Sequence, residues 1–451
     1  KQIKLATAML QNQAGIDLKA VKAIGISYQM HGLVIVDRER RPLRPAIIWC
    51  DSRAVKIGAE AFIALGKEKC LHSLLNSPGN FTVSKLKWVQ ENEPEIYSRI
   101  YKAMLPGEYI AMRLTGEIKT TPSGLSEAIL WDFTNQKIAD LVLNHYRIAP
   151  DLFPELVPVF SVQGRLTSEA ATDLGMSTET VVSYRAGDQP NNALSLKVLE
   201  PGEIAATAGT SGVVYGVGDQ PNYDPLSRVN TFVHVNHTIA GPRYGTLLCI
   251  NGTAILYRWL KNNVMNNLSY RQMDQMSAQV PVGAGGLSIL PYGNGAERTL
   301  ENVETGAVIH GLDFNIHNRS HLARAAQEGI VYSLNYGLEI MRQTGISLTT
   351  IKAGFANMFL SPIFSEAFAT ISGAQVELYN TDGSQGAARG AGIGAGIYKD
   401  YQQAFNGLEQ VKTIAPNLAF SEAYQEAYQR WRRVLFAQLE NKSNFSGMRR
   451  E

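Results

Sequence analysis

The sequence is poor in cysteine. Its three cysteines, Cys50, Cys70 and Cys249, are widely separated among 451 residues. They form neither a disulfide framework nor the spacing of a metal site, so we expect a reducing, cytoplasmic environment. The sequence also has no run of 18 apolar residues, and residues 1–4 contain no apolar signal core. We therefore expect no secretion and no membrane partner.

A strong charge of one sign is also lacking. The formal net charge is +2, which is too small for the basic surface that nucleic-acid binding needs, so no nucleic-acid partner is expected. Of the eight histidines, only His234 and His237 are close neighbours, and no Glu or Cys stands beside them. We therefore expect structural histidines and no metal site.

Length and composition indicate a globular protein of two domains. Hydrophobic residues make up 45% of the sequence and charged residues 18%, which is ordinary for a soluble globular chain. A chain of 451 residues exceeds what one hydrophobic core usually serves. Composition shifts at Glu200-Pro201-Gly202, so we place the domains at residues 1–199 and 200–451.

Strand-like and helix-like patterns alternate along the chain, which predicts an α/β protein. Apolar residues recur at helical spacing over residues 3–10, so the chain opens on a predicted helix. Strands are predicted at residues 23–27, 33–36, 46–49, 181–184, 203–208 and 212–215, and further helices at 54–65, 84–92, 166–174, 321–344 and 421–439.

An acidic residue and a glycine-rich loop form the best functional clue. Asp188 lies in a turn after a predicted strand, and the loop Gly209-Thr210-Ser211-Gly212 follows the next one. A carboxylate can accept a hydroxyl proton, and glycine lets backbone N–H groups approach phosphate oxygens. Together these two features predict phosphoryl transfer to an alcohol.

Each of these features also has a purely structural interpretation. Asp is a favoured helix cap, and Pro190 is typical of a first helical turn, so Asp188 taken alone favours a cap. Capping and catalysis are compatible, because a helix N-terminus keeps a carboxylate ionised. The loop at residues 209–212 is not a Walker loop, since it has no Lys, and a plain hairpin turn is the alternative.

Two segments at predicted strand ends carry further polar side chains. Met30 and His31 follow the strand at residues 23–27. A histidine between apolar strands is usually a satisfied core residue, but at a strand end it can project into a cleft and bind a polyol. Asp51 and Arg53 follow residues 46–49, and a local ion pair opening the next helix is their structural interpretation.

Residues 386–396 are rich in Gly and Ala. The run loosely resembles a dinucleotide-binding fingerprint, but no buried strand leads into it and no acidic residue follows at the usual distance. A helix packed very closely on its neighbour is the better interpretation.

Taken in order, the motifs resemble those of the FGGY family of carbohydrate kinases. The run from Ala23 through Met30 and His31 to Gly32 resembles the sugar-site segment of members that phosphorylate D-xylulose, where glycerol kinases carry an Arg-Glu pair. The matching segments span nearly the whole chain. Besides the run at residues 23–32, they are Trp49-Cys50-Asp51-Ser52-Arg53, Phe81-Thr82-Val83-Ser84-Lys85-Leu86-Lys87-Trp88, Gly187-Asp188, Gly209-Thr210-Ser211-Gly212, Leu290-Pro291-Tyr292 with Glu297-Arg298, Arg324-Ala325 with Glu328-Gly329, and Ala353-Gly354-Phe355-Ala356-Asn357.

The resemblance implies an actin-like ATPase (ribonuclease H-like) α/β fold. Two domains, each a mixed sheet flanked by helices, would close on a central cleft. The first domain would bind the sugar and the second chiefly ATP. The implied reaction is ATP-dependent phosphorylation of a ketopentose, with D-xylulose as the leading substrate. Alternatives are another ketose, a pentitol, a sugar acid, or a non-catalytic sugar-binding relative.

The resemblance also assigns roles to residues. Asp188 would be the general base, and Met30, His31 and Gln189 would contact the sugar. ATP would be held by further residues. Mg²⁺ would neutralise charge on the transferring group, and no residue of this chain is assigned as its ligand. A homodimer is also implied. The ATP-binding residues would be Gly209, Thr210 and Ser211 at the terminal phosphates, with Gly354 and Asn357 beside the adenosine.

The chain departs from the family pattern at its start. The family opens with a strand hairpin carrying Asp-x-Gly-Thr/Ser, and no such segment precedes Lys1. We therefore expect the opening strands of the first domain to be absent from the sequence as given, its sheet to have an unpaired edge, and the chain as given to be impaired in catalysis. Asn80 and Ala296 are smaller departures.

Overall fold

The computed structural model describes residues 1–448. Its strands are β1 (Ala23–Tyr28), β2 (Val34–Val36), β3 (Lys102–Met104), β4 (Lys119–Thr120), β5 (Trp131–Asp132), β6 (Lys137–Ile138), β7 (Glu155–Leu156), β8 (Gly164–Arg165), β9 (Val181–Gly187), β10 (Ile204–Ala208), β11 (Gly212–Gly218), β12 (Asn230–Val233), β13 (Tyr244–Ile250), β14 (Ser288–Leu290), β15 (Val308–His310), β16 (Thr350–Gly354), β17 (Gln375–Tyr379) and β18 (Gln410–Ile414).

Helices cover and connect these strands. They are α1 (Gln2–Ala14), α2 (Val55–Leu65), α3 (Lys67–Leu74), α4 (Thr82–Asn92), α5 (Pro94–Tyr97), α6 (Pro106–Thr115), α7 (Pro122–Glu127), α8 (Asp140–Tyr146), α9 (Ser168–Leu174), α10 (Asp188–Ser195), α11 (Ala254–Asn263), α12 (Tyr270–Ser277), α13 (Arg319–Gln343), α14 (Pro362–Ser372), α15 (Gly383–Gly394), α16 (Tyr401–Ala404) and α17 (Ser421–Met448).

Most predicted elements are confirmed. The opening helix forms although its apolar residues Ile3, Met9 and Leu10 are exposed. The predicted strand at residues 46–49 is wrong. Only Ile47 forms a bridge, to Leu33, and the carbonyl groups of Ile48 and Trp49 accept hydrogen bonds from the Lys85 side chain instead of from a strand. At this point the buried Lys85 ammonium group, instead of a neighbouring strand, is the hydrogen-bond donor to the backbone carbonyl groups.

Two mixed sheets organise the molecule. The larger has seven strands in the order β12-β13-β11-β10-β16-β17-β18, and the smaller has three in the order β1-β9-β8. In the smaller sheet β1 and β9 are parallel, and β8 is antiparallel to β9. In the larger, β10, β16 and β17 are parallel to one another. Their carboxyl ends therefore lie at one edge, where ligands bind in open α/β sheets.

The glycine-rich helix α15 packs directly on the smaller sheet, as the sequence predicted. A Cβ added at Gly25 of β1 would lie 2.0 Å from the carbonyl oxygen of Ala387, and one at Gly394 would lie 1.9 Å from that of Ser183. Only glycine allows this approach. Although α15 lies late in the chain, it covers β1 and β9 of the first half, so the two halves are packed together.

The hydrophobic cores also join the two halves. One core lies between the larger sheet and the helices α13, α14 and α17. A second contains the first-half helices together with residues of β10 to β13, including Phe232 and Tyr244. Within residues 1–448, no helix has both the length and the apolar character that crossing a bilayer requires.

Candidate active site

Asp188 lies where β9 ends and α10 begins. Every residue of β9 is buried, so the strand carries the turn at Gly187 and Asp188 into the centre of the molecule. Gly187 occupies the helix N-cap position and Asp188 is the first helical residue. Interpreting Asp188 as the cap is therefore wrong by one position, because Gly187 is the cap. The Asp188 carboxylate lies near the free backbone N–H groups of the first helical turn.

Opposing effects set the protonation of Asp188. Burial raises its pKa, while hydrogen bonds from the Gln189 side chain and from backbone N–H groups, including that of Met30, lower it. The Gln189 amide lies 3.0 Å from Oδ2 of Asp188. The net shift is upward, which moves this carboxyl group toward the range that suits a general base.

Met30 and His31 lie beside this turn. The Met30 side chain is buried and packs where a Cβ on Gly187 would lie, with its Cγ 2.5 Å from that position. His31 has a left-handed backbone, with φ of 62°. Its Nδ1 lies 2.8 Å from the carbonyl oxygen of Glu127. Because a carbonyl only accepts, Nδ1 carries the hydrogen and Nε2 is left as an acceptor.

Aromatic neighbours keep His31 neutral. The Phe81 ring meets it edge-on with a centroid separation of 4.6 Å, and Phe232 lies at 5.5 Å. Burial lowers the pKa of His31 to about 3. Since the ring is uncharged at neutral pH, its free nitrogen can accept a hydrogen bond from a hydroxyl group. A neutral ring also does not repel a nearby cation.

The loop between β10 and β11 contains Gly209, Thr210 and Ser211. The backbone N–H of Ala254, at the start of α11, donates to the carbonyl oxygen of Gly209 at 3.0 Å. That of Ile255 donates to Thr210 at 3.3 Å. These bonds direct two loop carbonyl groups toward α11 and hold the loop in one conformation.

A cavity of about 360 Å³ lies against this loop. It contains the predicted nucleotide residues from both β10 and β16, whose carboxyl ends are adjacent because the strands are parallel. Asn357 has a left-handed backbone with φ of 55°, and its amide nitrogen lies 3.8 Å from where a Cβ on Gly209 would be. The sequence-predicted residues that line the cavity are Gln189, Gly209, Thr210, Ser211, Gly354 and Asn357.

Other cavity residues were not predicted from the sequence. Among them, Asp382 and Gly383 line the cavity at the start of α15. Asp382 caps this helix by accepting hydrogen bonds from the backbone N–H groups of Ser384 and Gln385. The signal was present in the sequence, because Thr-Asp-Gly-Ser before a helical run is a typical N-terminal cap.

Glu297 and Arg298 are a dipeptide that resembles the family pattern, and the resemblance implied no role for them. The Glu297 carboxylate accepts hydrogen bonds from the backbone N–H groups of Asn251 and Gly252, at 3.0 and 3.2 Å to Oε1. Burial raises the pKa of Glu297 to about 7. Because Asn251 and Gly252 lead into α11, Glu297 supports the helix that holds the phosphate-loop carbonyls. The next residue, Arg298, places its guanidinium 5.4 Å from the centre of the Phe81 ring.

A buried polar group beneath Asp188 was also missed. The Tyr28 hydroxyl donates to Glu127 Oε1 at 2.5 Å, and Oε2 of Glu127 has no hydrogen-bond partner among the described residues. Burial raises the pKa of Glu127 well above its ordinary value, and the nearby Asp188 carboxylate adds to the rise. An acidic residue in a Gly/Ser-rich turn was the only signal in the sequence.

The structural interpretations of Asp51, Arg53 and His234 agree with the structure. Asp51 and Arg53 form a local ion pair at 2.7 Å. His234 is buried between the Tyr215 hydroxyl and the carbonyl oxygen of Val198. Within the part of the chain that is described, no three His, Cys, Asp or Glu side chains are grouped as a metal site, and the three cysteines are free.

Comparison with known proteins identifies relatives of this chain. The N-terminal domain model of the FGGY family of carbohydrate kinases matches residues 1–195, and its C-terminal domain model matches residues 204–397. A xylulose kinase of Escherichia coli (strain K12) is 31% identical over 434 residues, covering 94% of this chain and 86% of the relative. One from Haemophilus influenzae is 28% identical over 444 residues, covering 95% and 87%.

A solved structure gives the same result for the fold. The crystal structure of a xyloylose kinase from Brucella ovis is 26% identical and superposes with a TM-score of 0.85, covering 95% of this chain and 87% of that one. This similarity confirms the expected two-domain, actin-like α/β fold with mixed sheets flanked by helices.

Proposed function

The chain belongs to the FGGY family of carbohydrate kinases, and we propose that it phosphorylates D-xylulose to D-xylulose 5-phosphate with ATP. It is a phosphotransferase with an alcohol group as acceptor. The substrate is supported by the xylulose kinases among its relatives, which match along nearly the whole chain. The observation that carries the proposal is the position of Asp188, next to Gln189, which lines the same cavity as residues 209–211.

Asp188 is the proposed general base. Its carboxylate takes the proton of the terminal sugar hydroxyl, and the oxygen attacks the γ-phosphorus of ATP. The bond between that phosphorus and the bridging oxygen breaks, and ADP leaves with the electron pair. The transferring group needs positioning and charge stabilisation more than covalent chemistry. The upward pKa shift caused by burial suits Asp188 to hold this proton.

The proposed sugar contacts come from the segment after β1 and from α10. The neutral His31 ring offers Nε2 as an acceptor for a sugar hydroxyl, because Nδ1 is bound to Glu127. Gln189, whose amide also donates to Asp188, would orient the hydroxyl to be phosphorylated. Met30 would contribute its main chain and an apolar wall, since its side chain is buried against Gly187.

The proposed nucleotide contacts lie around the cavity. Backbone N–H groups of Gly209, Thr210 and Ser211 would bind the terminal phosphates, as small residues in a turn do for anions. Gly354 and Asn357 would border the adenosine. An added Cβ at Gly354 would lie 3.1 Å from the carbonyl oxygen of Thr381, so this wall of the cavity has no room for a larger residue.

Mg²⁺ is proposed as the companion of ATP. Mg²⁺ commonly binds to one or two carboxylates plus phosphate oxygens, and no residue of this chain is assigned as its ligand. When bound, the ion would neutralise negative charge on the phosphates.

We further propose two domains, residues 1–199 and 200–451. The boundary is supported by the turn at Glu200 to Gly202, which lies between α10 and β10. We also propose a cytoplasmic location and a homodimer.

The test is ADP release with a panel of pentuloses, pentitols and a sugar acid, compared for the wild type and Asp188→Ala. We expect D-xylulose to give the highest kcat/KM, and Asp188→Ala to lose about 10²–10⁴-fold in kcat while still binding sugar in calorimetry. Asp219→Ala, at an exposed position after β11, is the matched control. An unchanged rate in Asp188→Ala would remove the base assignment.

A further inference from the structure

Arg298 extends from the second half of the chain toward the proposed sugar site. It begins a short 3-10 turn, Arg298–Leu300. Its guanidinium carbon lies 5.4 Å from the centre of the Phe81 ring, and Phe81 in turn packs edge-on against His31 at 4.6 Å. The cation therefore contacts the aromatic ring that packs on His31, which is proposed to face the sugar.

The charge of Arg298 is not neutralised by an acidic partner. Among residues 1–448, no carboxylate lies within ion-pair distance of its guanidinium, which instead contacts the Phe81 ring. Its side chain is half-buried. Burial lowers its pKa, but a guanidinium remains protonated in proteins. A partly exposed arginine without a carboxylate partner is available for an anionic ligand.

Cys249 lies between Glu297-Arg298 and the phosphate loop. On β13 it is paired with Val213 of β11, two residues after Ser211, and its thiol lies 3.8 Å from Oδ1 of Asn251, whose backbone N–H donates to Glu297. Burial raises the pKa of this thiol, the carboxylates of Glu297 and Asp188 add to the rise, and Arg298 opposes it.

The backbone at Arg298 is tied to that loop. Glu297, the residue before it, accepts hydrogen bonds from Asn251 and Gly252. These two residues lead to Ala254, whose N–H donates to Gly209. The backbone next to Arg298 is therefore linked to the loop by a short chain of hydrogen bonds, and such a link gives the rigid support that a preorganised catalytic group needs.

We infer that Arg298 is a further catalytic residue, whose guanidinium donates hydrogen bonds to the oxygens of the phosphoryl group as it passes from ATP to the sugar. This inference rests on the proposed function. Arg298 moves no proton, because Asp188 takes the hydroxyl proton and ADP leaves with the electron pair of the broken P–O bond. The planar guanidinium can bind two oxygens at once, and its charge offsets the charge on the transferring group.

Two other roles make different predictions. If Arg298 only packs on Phe81, an apolar residue of similar length would replace it with no loss of rate. If it only binds the sugar, its removal would raise KM and the sugar dissociation constant while kcat stays unchanged. If Arg298 makes its contact chiefly in the transition state, removing that contact lowers kcat instead.

The experiment compares the wild type with Arg298→Met, Arg298→Lys and the control Arg271→Met, an exposed position on α12. We expect kcat to fall by about 10³-fold in Arg298→Met, with the sugar dissociation constant from calorimetry changed less than about threefold. Arg298→Lys should recover only part of the rate. Added guanidinium ion should partly restore kcat of Arg298→Met and leave the control unaffected.

A second measurement does not need turnover. ADP binding is titrated with sugar present, with and without aluminium fluoride, a mimic of the transferring group. The fluoride should tighten ADP binding in the wild type and not in Arg298→Met. If the wild type is active and Arg298→Met has the same kcat and the same response to fluoride, the inference about Arg298 is wrong while the proposed function stands. A wild type that neither binds ADP nor phosphorylates any sugar overturns the proposed function, and the inference with it.

Discussion

The side-chain ammonium group of Lys85 donates a hydrogen bond to the carbonyl oxygen of His31 at 2.9 Å. The same nitrogen also lies 2.9 Å from the carbonyl oxygen of Ile48 and 3.4 Å from that of Trp49. Lys85 is fully buried, and burial lowers its pKa to about 8. One helix residue thereby joins two loops that are distant in sequence and positions the proposed sugar contact His31.

Replacing Lys85 should separate these loops. In Lys85→Met the three carbonyl groups lose their donor, so we expect the free energy of unfolding to fall by about 3 kcal/mol and KM for the sugar to rise more than kcat falls. Denaturant unfolding and initial-rate kinetics measure the two effects. Lys56→Met, at a side chain that is 86% exposed, should change neither. Wild-type stability and KM in Lys85→Met would show that the loops hold without it.

Glu297 should make stability depend on pH. Its pKa is raised from 4.5 to about 7 in the fold, so the folded chain binds more protons than the unfolded chain between these values. The stabilisation from this group is complete below pH 4.5 and is lost as pH rises through 7, a change of about 3 kcal/mol. Denaturant unfolding should therefore show the wild type losing stability relative to Glu297→Gln between pH 5 and pH 8. A constant difference between the two proteins would contradict the shifted pKa.

The buried pair of Tyr28 and Glu127 should tolerate a neutral replacement. Burial holds the pKa of Glu127 well above its ordinary value, which favours the protonated, uncharged carboxyl group in the fold. Glu127→Gln should then keep the free energy of unfolding within about 1 kcal/mol of the wild type at pH 7. Glu127→Leu leaves the Tyr28 hydroxyl without its acceptor and should lose about 2 kcal/mol. A large loss in Glu127→Gln would mean that the carboxylate is ionised.

Gly25 should not accept a side chain. An added Cβ would lie 2.0 Å from the carbonyl oxygen of Ala387, a backbone atom that cannot move aside alone. Gly25→Ala should therefore lower the free energy of unfolding by about 3 kcal/mol, measured by thermal or denaturant unfolding. Gly218→Ala is the control, because its Cβ would lie 3.6 Å from Ile346, an ordinary contact. Equal effects of the two substitutions would contradict the close packing of α15 on β1.

Local patterns in the sequence predicted much of the fold. The helix at Arg319–Gln343 and the strands β1, β9 and β10 follow from apolar spacing and turn residues that lie within a few positions of one another. The predicted helix at residues 166–174 forms at Ser168–Leu174, and the Thr167 side chain caps it by accepting the N–H of Ala170, as a threonine before a helical run does. Such features depend on neighbours in the chain, and the order of the motifs was enough to indicate the family.

Other features required the folded chain. The strand predicted at residues 46–49 did not form, because Lys85, more than 30 residues later, takes its carbonyl groups. Nothing near Glu127 in the sequence indicates that Tyr28 and His31 bind to it, across 99 and 96 residues.

The sequence by itself determined where strands and helices alternate, which turns carry Asp188 and the loop at residues 209–211, and to which family the chain belongs. Only the tertiary structure decided which charges are buried, which are paired, and that Arg298 contacts the aromatic ring that packs on His31. The reason is physical: backbone preference and apolar spacing act between near neighbours, whereas desolvation and hydrogen bonding of a buried group depend on whatever the fold places around it.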